Sequence, residues 1–138
     1  MRVLIEAYRE FLQKQDVLPM ENWNVFISEH QIPMQPNVKN HPHTMIMRQQ
    51  GKDTDGGVYV YFDNETCLYI GESKVLGSRF KDHYNASWKT NHKLHQFFSR
   101  YRKPLTVRWI KIENVFDRRT IEAMLTRIYK PTYIDFKT

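Results

Sequence analysis

Residues 57–79 read GVYVYFDNETCLYIGESKVLGSR and contain the clearest local signals in the chain. β-Branched and aromatic residues dominate positions 58–62 and 66–70, which is typical of β-strands. The residues between these two runs, Asp63, Asn64 and Glu65, favour a turn. The stretch therefore predicts a β-hairpin.

The register expected for this hairpin follows from the position of its turn. A turn centred on Asn64 would place Tyr59 opposite Tyr69, because the residue numbers of cross-strand partners then have a constant sum. By the same rule, Tyr61 would lie opposite Cys67. Side chains alternate between the faces of a strand, so all three tyrosines are predicted on one face. The other face carries aliphatic residues and is the predicted core side: Val58, Val60, Leu68 and Ile70.

A helix is predicted directly after the hairpin. Leu76, Phe80 and Tyr84 recur at four-residue spacing, which favours a helix over residues 74–85. Arg79 and His83 are also four residues apart and lie at one border of this apolar stripe, so they would project beside the sheet. The alternative is that Arg79 only extends over the apolar surface and that His83 packs at its boundary.

Two more helices and a third strand are predicted towards the C-terminus. Apolar residues at helical spacing indicate a helix over residues 93–101, which Pro104 would stop. Residues 105–112 alternate in polarity and are predicted to form the third strand of the sheet. Asp117 is the expected N-cap of a last helix that ends before Pro131. Its apolar stripe is Ile121, Met124, Leu125 and Ile128, with Glu122 at the edge, where a carboxylate is usually only solvated.

The first 56 residues are predicted to form a helical and irregular extension. Residues 2–14 have the spacing of an amphipathic helix, and residues 21–29 are predicted to form a second, short helix. Residues 45–47 indicate a brief strand or a core-anchoring loop, and residues 51–57 a polar linker. We expect one globular unit of 138 residues, with residues 1–56 as the extension and residues 57–138 as the main domain.

Positive charge is concentrated in the second part of the chain. The net charge is +6, and residues 1–56 contain six Lys and Arg against seven Asp and Glu, whereas residues 57–138 contain fifteen against eight. Aromatic residues alternate with these cations, as in Trp88-Lys89 and Arg108-Trp109. Such a surface suits the phosphate backbone of a nucleic acid, which attracts Lys and Arg irrespective of base sequence. The alternative is a solvated basic face without a partner.

The cysteine and histidine content does not favour disulfide or zinc chemistry. Cys67 is the only cysteine, which excludes an internal disulfide. The sequence shows no signal-peptide pattern and no long apolar run, so we expect a cytoplasmic protein without membrane association. His41 and His43 form one pair and His92 and His95 another, but neither has companion cysteines. We expect these four to be loop or surface histidines.

The order of the motifs resembles that of the GIY-YIG nuclease superfamily. The motifs, in chain order, are Gly57-Val58-Tyr59, Tyr69-Ile70-Gly71, Arg79, Glu122 and Lys130-Pro131. The resemblance spans residues 57–133 and identifies residues 57–138 as the expected nuclease domain. It implies an α+β fold with a three-stranded antiparallel sheet flanked by helices, which agrees with the elements predicted above. The N-terminal helical extension lies outside it.

The resemblance also implies a set of site residues. The catalytic positions that match the family's pattern are Tyr59, Tyr69, Arg79, His83 and Glu122. Glu122 falls where relatives have the glutamate that binds the metal ion, so Mg²⁺ or Mn²⁺ is the expected cofactor. Relatives usually have an asparagine three residues after the proline, but this chain has Ile134 there, followed by Asp135. The basic residues expected to bind nucleic acid are Lys74, Arg79, Lys81 and Lys89.

These residue types suit the hydrolysis of a phosphodiester bond. Arg79 is always charged and can bind two phosphate oxygens, so it can stabilise developing negative charge. A single carboxylate such as Glu122 suits Mg²⁺, which keeps much of its water. Tyr59 is the favoured general base if nearby positive charge lowers its pKa, with Tyr69 in the water or phosphate network. His83 is the competing base or acid.

The function predicted from the sequence is that of a metal-dependent DNA endonuclease. Ile134 motivates an alternative, a nucleic-acid-binding module that keeps the scaffold but cleaves weakly or not at all. In a third possibility, the N-terminal segment recruits a protein partner or a second copy, and the chain is a subunit of a repair or restriction assembly.

Overall fold

A computed structural model of the protein describes residues 2–30, 42–51, 56–86 and 93–134. The elements in chain order are α1 (Arg2–Lys14), a short 3-10 helix (Met20–Asn22), β1 (Asn24–Glu29), α2 (Pro42–Gln50), β2 (Gly57–Asp63), β3 (Thr66–Ser73), α3 (Leu76–Ala86), α4 (Lys93–Phe98), β4 (Pro104–Lys111) and α5 (Val115–Tyr129). The predicted α+β class is confirmed.

In the part of the chain that the structure describes, the sheet has four antiparallel strands in the order β1-β4-β2-β3. The prediction of three strands is wrong because β1, which pairs with β4, replaces the helix predicted over residues 21–29. Within β1, Phe26 and Ser28 are buried whereas Val25 and Ile27 are about half exposed. This alternation has a period of two, so the apolar residues interpreted as a helical stripe belong to opposite faces of a strand.

The hairpin of β2 and β3 is confirmed, but its predicted register is wrong. Tyr59 pairs with Gly71, and Tyr61 pairs with Tyr69. The turn contains only residues 64 and 65, and the register shifts beyond Tyr61, which leaves Leu68 as an extra residue in β3. A bulge of this kind moves every later pair by one residue. The three tyrosines nevertheless share one face, as predicted.

Both faces of the sheet are buried, so the prediction of a single core side is wrong. The tyrosine-side core consists of Phe26, Met47, Tyr59, Tyr61, Leu68, Tyr69, Leu76, Phe80, Tyr84, Phe97, Phe98, Leu105, Val107 and Trp109. The valine-side core consists of Leu12, Val17, Met20, Trp23, Val58, Val60, Cys67, Ile70, Ile121 and Leu125. Helices α2, α3 and α4 contribute to the first core, and α1 and α5 to the second. Because of the bulge, Leu68 joins the tyrosine side.

The helices differ from the predictions mainly at their ends. Residues 45–47, predicted as a strand or loop, lie in α2, and of these three residues Met47 alone is buried. Helix α4 ends at Phe98, well before Pro104, which begins β4. The N-cap of α5 is Asn114 and not Asp117, because the Asn114 side chain accepts hydrogen bonds from the backbone N–H groups of residues 116 and 117. Among the described helices, none combines the length and apolarity needed to cross a bilayer.

His30, directly after β1, is fully buried and gives the fold a testable pH dependence. Burial, with a smaller effect from the charge of Arg102, lowers its pKa from 6.5 to about 3. Between these values the unfolded chain binds a proton that the folded protein does not, so this residue reduces stability as the pH falls below 6.5. We expect the free energy of unfolding of the parent to fall by about 2 kcal/mol more between pH 7 and pH 5 than that of His30→Gln, which lacks the titrating group.

Urea unfolding of the parent and the variant at both pH values measures this difference. Titrating groups elsewhere are common to both proteins and cancel in the comparison. Equal losses of stability in the two proteins would show that folding does not lower the pKa of His30.

Candidate active site

Tyr59 occupies a position that depends on a glycine. It lies directly opposite Gly71 across the hairpin. A Cβ atom at position 71 would overlap the Tyr59 hydroxyl and the adjacent ring atoms. Because glycine has no side chain, the tyrosine ring can cross β3 and remain buried. The packing of the tyrosine in the first motif thus explains the glycine in the second.

A buried hydrogen bond joins the hairpin to α3. The Tyr59 hydroxyl lies 2.7 Å from His83 Nε2, and His83 is only 2% exposed. The ring of Phe98 in α4 stacks on the imidazole, with centroids 4.9 Å apart. The apolar stripe predicted for α3 is fully buried in the tyrosine-side core, which directs the His83 edge of the helix towards β2.

Tyr69 lies between this pair and a small cavity. Its ring centroid is 5.3 Å from that of His83 and 6.1 Å from that of Tyr59. Tyr69 and Glu122 line the same cavity of about 110 Å³. The other lining residues are Ile70, Thr126, Pro131, Tyr133 and Ile134.

Glu122 reaches this cavity from the opposite face of the sheet. Its neighbours in α5, Ile121 and Leu125, are buried in the valine-side core. Glu122 itself is partly exposed, as its place at the edge of the apolar stripe predicted. The cavity therefore lies at the edge of β3 and is lined by residues of β3, of α5 and of the segment after α5.

The electrostatic surroundings of Tyr59 include three of the other candidate residues. Burial raises the pKa of Tyr59 well above its ordinary value of 10, and Tyr69 adds to this effect. The charge of Arg79 lowers the pKa, whereas that of Glu122 raises it. The charge of Arg79 acts in the expected direction, but desolvation outweighs it, so the pKa of Tyr59 is raised overall. Tyr59 keeps its proton at neutral pH and can donate it to His83.

The chemistry of the cavity fits a hard divalent cation. Among the described residues, no three His, Cys, Asp or Glu side chains are grouped around a common metal position. Glu122 offers one carboxylate beside a cavity with room for a cation and some of its water. This arrangement suits Mg²⁺ or Mn²⁺, whereas zinc requires three or four protein ligands. Residues 41 and 92 and the side chains of residues 43 and 95 lie outside the described part of the chain.

The basic residues predicted to bind nucleic acid have different environments. Arg79 and Lys74 are exposed. Lys81 forms an ion pair with Asp82, with an N–O distance of 3.6 Å. Lys89 lies outside the described residues.

Several neighbours of the site were not identified from the sequence. Tyr133 packs against Tyr69 with ring centroids 6.0 Å apart, and Phe98 stacks on His83. For Tyr133, the one signal in the sequence is its position at the end of the segment, residues 57–133, that resembles the nuclease family. The buried ion pair of Arg118 and Glu72 joins elements distant in sequence, and nothing in the local pattern indicates it.

Ile134 contributes an apolar surface to the rim of the cavity. It is 50% exposed and is the residue at which the chain departs from the asparagine that the family resemblance implies. Asp135 lies outside the described residues. An aliphatic side chain therefore forms part of the described cavity lining at this position.

The profile of the GIY-YIG catalytic domain matches residues 55–133, which is more than half of the chain. The protein therefore belongs to the GIY-YIG family, and the resemblance of its motifs is confirmed.

The chain is similar to a UvrC protein in sequence and to a UvrC domain in structure. UvrABC system protein C from Wolinella succinogenes is 30% identical over 97 residues, a match that covers 65% of this chain and 16% of that protein. The chain thus spans about a sixth of the length of this relative.

The fold is shared with the GIY-YIG N-terminal endonuclease domain of UvrC from Thermotoga maritima. A point mutant bound to its catalytic divalent cation gives a TM-score of 0.52 at 20% identity, covering 70% of this chain and 100% of that domain. The magnesium-bound domain gives a TM-score of 0.51 at 20% identity, covering 69% of this chain and 99% of that domain.

Substituting Gly71→Ala tests the packing of Tyr59 over the hairpin. We expect the added methyl group to displace the Tyr59 ring and to lower the free energy of unfolding by roughly 2–3 kcal/mol, as overpacking does. Urea unfolding measures this cost. In a Tyr59→Leu background, which lacks the overlapping ring atoms, the same substitution should cost clearly less. An equal cost in both backgrounds contradicts the proposed contact.

Proposed function

We propose that this protein is a metal-dependent DNA endonuclease that hydrolyses phosphodiester bonds at the edge of β3. The observation that supports this most strongly is the meeting of Tyr69 and Glu122 in one cavity, with the hydrogen-bonded Tyr59 and His83 directly behind. Membership of the GIY-YIG family and the basic second part of the chain support a nucleic acid as substrate.

Arg79 is proposed to bind the scissile phosphate. It is exposed on α3, and its charge acts on the Tyr59 hydroxyl, which supports its assignment to the same site. Its planar fork can bind two phosphate oxygens and stabilise charge that develops on them. Lys74, Lys81 and Lys89 are proposed to bind flanking phosphates.

Glu122 is proposed to hold Mg²⁺ or Mn²⁺. When bound, such an ion supplies positive charge against the phosphate oxygens. The rings of Tyr69 and Tyr133 line the same cavity. The magnesium ion of the T. maritima UvrC domain supports this proposal, since the two proteins share the fold.

Tyr59 and His83 are proposed to accept the proton of the attacking water together. As the water oxygen bonds to phosphorus, its proton passes to the Tyr59 oxygen through the water network of Tyr69, which lies between the cavity and Tyr59, and the Tyr59 proton passes to His83 Nε2 across the 2.7 Å hydrogen bond. The raised pKa of Tyr59 explains why the tyrosine needs this partner. The departing oxygen takes a proton from solvent.

Tyr59→Phe tests this role against a closely matched control. The variant should cleave plasmid DNA roughly 100-fold more slowly or worse, the loss expected for a general base, but should lose only about 1 kcal/mol of stability. Tyr61→Phe changes a buried tyrosine on the same strand and face whose hydroxyl has no hydrogen-bond partner in the described structure. It should cleave like the parent. Equal losses in both variants would assign the effect to packing.

Glu122→Gln and Arg79→Ala test the endonuclease assignment itself. Glu122→Gln should abolish Mg²⁺-dependent cleavage and retain DNA binding, because only the cation ligand changes. Arg79→Ala should slow cleavage by roughly 10²–10³-fold, the loss typical of a missing charge-stabilising donor, and weaken binding. Glu113→Gln and Arg9→Ala, at exposed ion pairs, are the controls. Parent-like cleavage by both site variants would refute the assignment.

Ile134 supports a second candidate function, a DNA-binding module without efficient cleavage. The aliphatic side chain at the cavity rim cannot donate or accept a hydrogen bond at a position where relatives present an amide. The same cleavage and binding assays separate the two functions. Salt-sensitive DNA binding without cleavage in Mg²⁺ or Mn²⁺ favours the module, and cleavage by the parent favours the enzyme.

Residues 57–138 are proposed as the nuclease unit and residues 1–56 as an extension. All five proposed catalytic residues lie in the first of these ranges. The extension nevertheless supplies β1 to the sheet and α1 to the valine-side core, so it is proposed to be needed for folding.

A further inference from the structure

The helix that carries Glu122 is held to β3 by polar contacts at both ends. Helix α5 runs antiparallel to β3, so its first turn lies beside the end of β3 and the segment after it lies beside the start. Apolar contacts of Ile121 and Leu125 hold the helix against the sheet. Such contacts are non-directional. The position of α5 along the strand therefore depends on the polar contacts.

The contact at the first turn is centred on Arg118. Its Nε donates to Glu72 Oε2 at 2.9 Å, and its Nη1 donates to the carbonyl oxygens of Glu113 at 2.6 Å and Ile112 at 3.3 Å. The Arg118 side chain is 6% exposed and that of Glu72 is 21% exposed. Gly56 leaves the necessary space, because a Cβ there would lie 3.0 Å from Nη1. A charge buried this deeply is strongly destabilising if its partner is removed.

The contact after the last turn is formed by the backbone. Lys130 ends the helix in the left-handed conformation, with φ 49°. The N–H groups of Thr132 and Tyr133 then donate to the carbonyl oxygens of Cys67 and Leu68 at 3.0 and 2.9 Å. This segment therefore adds to the free edge of β3.

Glu122 lies between these two contacts. Arg118 and Glu122 are four residues apart, so they lie on the same side of α5, one turn from each other. Glu72 is in turn two residues from Ile70, which lines the Glu122 cavity together with Tyr69. A movement of α5 along β3 would displace the Glu122 carboxylate relative to Tyr69 by the same amount, and site chemistry is sensitive to displacements of about 1 Å.

We propose that Arg118 and Glu72 are positioning residues for Glu122. Their ion pair sets the place of α5 along β3 and thereby holds the Glu122 carboxylate at the cation site. The proposal rests on the proposed function for the role of Glu122 as a cation ligand. Neither Arg118 nor Glu72 lines the cavity, so they act through the helix and not on the substrate.

Two variants of the full chain test the proposal. Glu72→Gln keeps an acceptor for Arg118 Nε and removes the charge, and Arg118→Lys keeps the charge but cannot reach three acceptors. The readouts are Mn²⁺ affinity by calorimetry without DNA, and amide hydrogen exchange of residues 119–126. We expect both variants to bind Mn²⁺ roughly tenfold more weakly or worse, the loss typical when a residue that orients a metal ligand is substituted. Exchange in residues 119–126 should become faster.

Asp63→Asn is the matched control. Asp63 forms a 2.8 Å ion pair with Lys103, and its side chain is also 21% exposed, but this pair joins the hairpin to the residue before β4 and does not involve α5. The control should leave Mn²⁺ affinity and exchange of residues 119–126 unchanged. Parent-like behaviour of both test variants, or equal changes in the control, would overturn the proposal. A parent that binds no Mn²⁺ would instead overturn the proposed function, and exchange alone would then decide whether the ion pair holds α5.

Discussion

The hydrogen bond between the Tyr59 hydroxyl and His83 Nε2, 2.7 Å long and buried, is the contact on which the rest of the site depends. A buried hydroxyl without a partner costs free energy, so the bond favours one arrangement of the hairpin and α3. That arrangement requires Gly71 beneath the tyrosine ring and Phe98 against the imidazole. The first motif, the second motif and the helix after them are therefore interdependent parts of one packed unit.

The site lies at the edge of β3 because both faces of the sheet are covered. Helix α3 brings Arg79 and His83 from the tyrosine side, and α5 brings Glu122 from the valine side. At the edge of the sheet, Tyr69 contacts the His83 ring and lines the cavity that Glu122 also lines. The charges of Arg79 and Glu122 act on the pKa of Tyr59 in opposite directions.

Local pattern was sufficient to predict the hairpin, the helices on either side of the active-site edge and the border positions of Arg79, His83 and Glu122. It failed where contacts between residues distant in sequence determine the local structure. The residues of β1 become a strand because β4 offers hydrogen-bond partners, and the Tyr59–Gly71 register depends on a bulge that no turn signal indicates. The pKa of Tyr59 is raised because burial, which the sequence does not show, outweighs the visible positive charge of Arg79. The Arg118–Glu72 pair is likewise a product of tertiary structure.

We propose that Tyr59, Tyr69, Arg79, His83 and Glu122 surround a single cation and phosphate site. A crystal structure of the protein soaked with Mn²⁺, with the ion located by its anomalous scattering, is the decisive measurement. We expect Mn²⁺ bound by the Glu122 carboxylate in the cavity beside Tyr69, with the Arg79 guanidinium facing the same space. Mn²⁺ bound at another surface, with Glu122 and Arg79 directed away from each other into solvent, would contradict it.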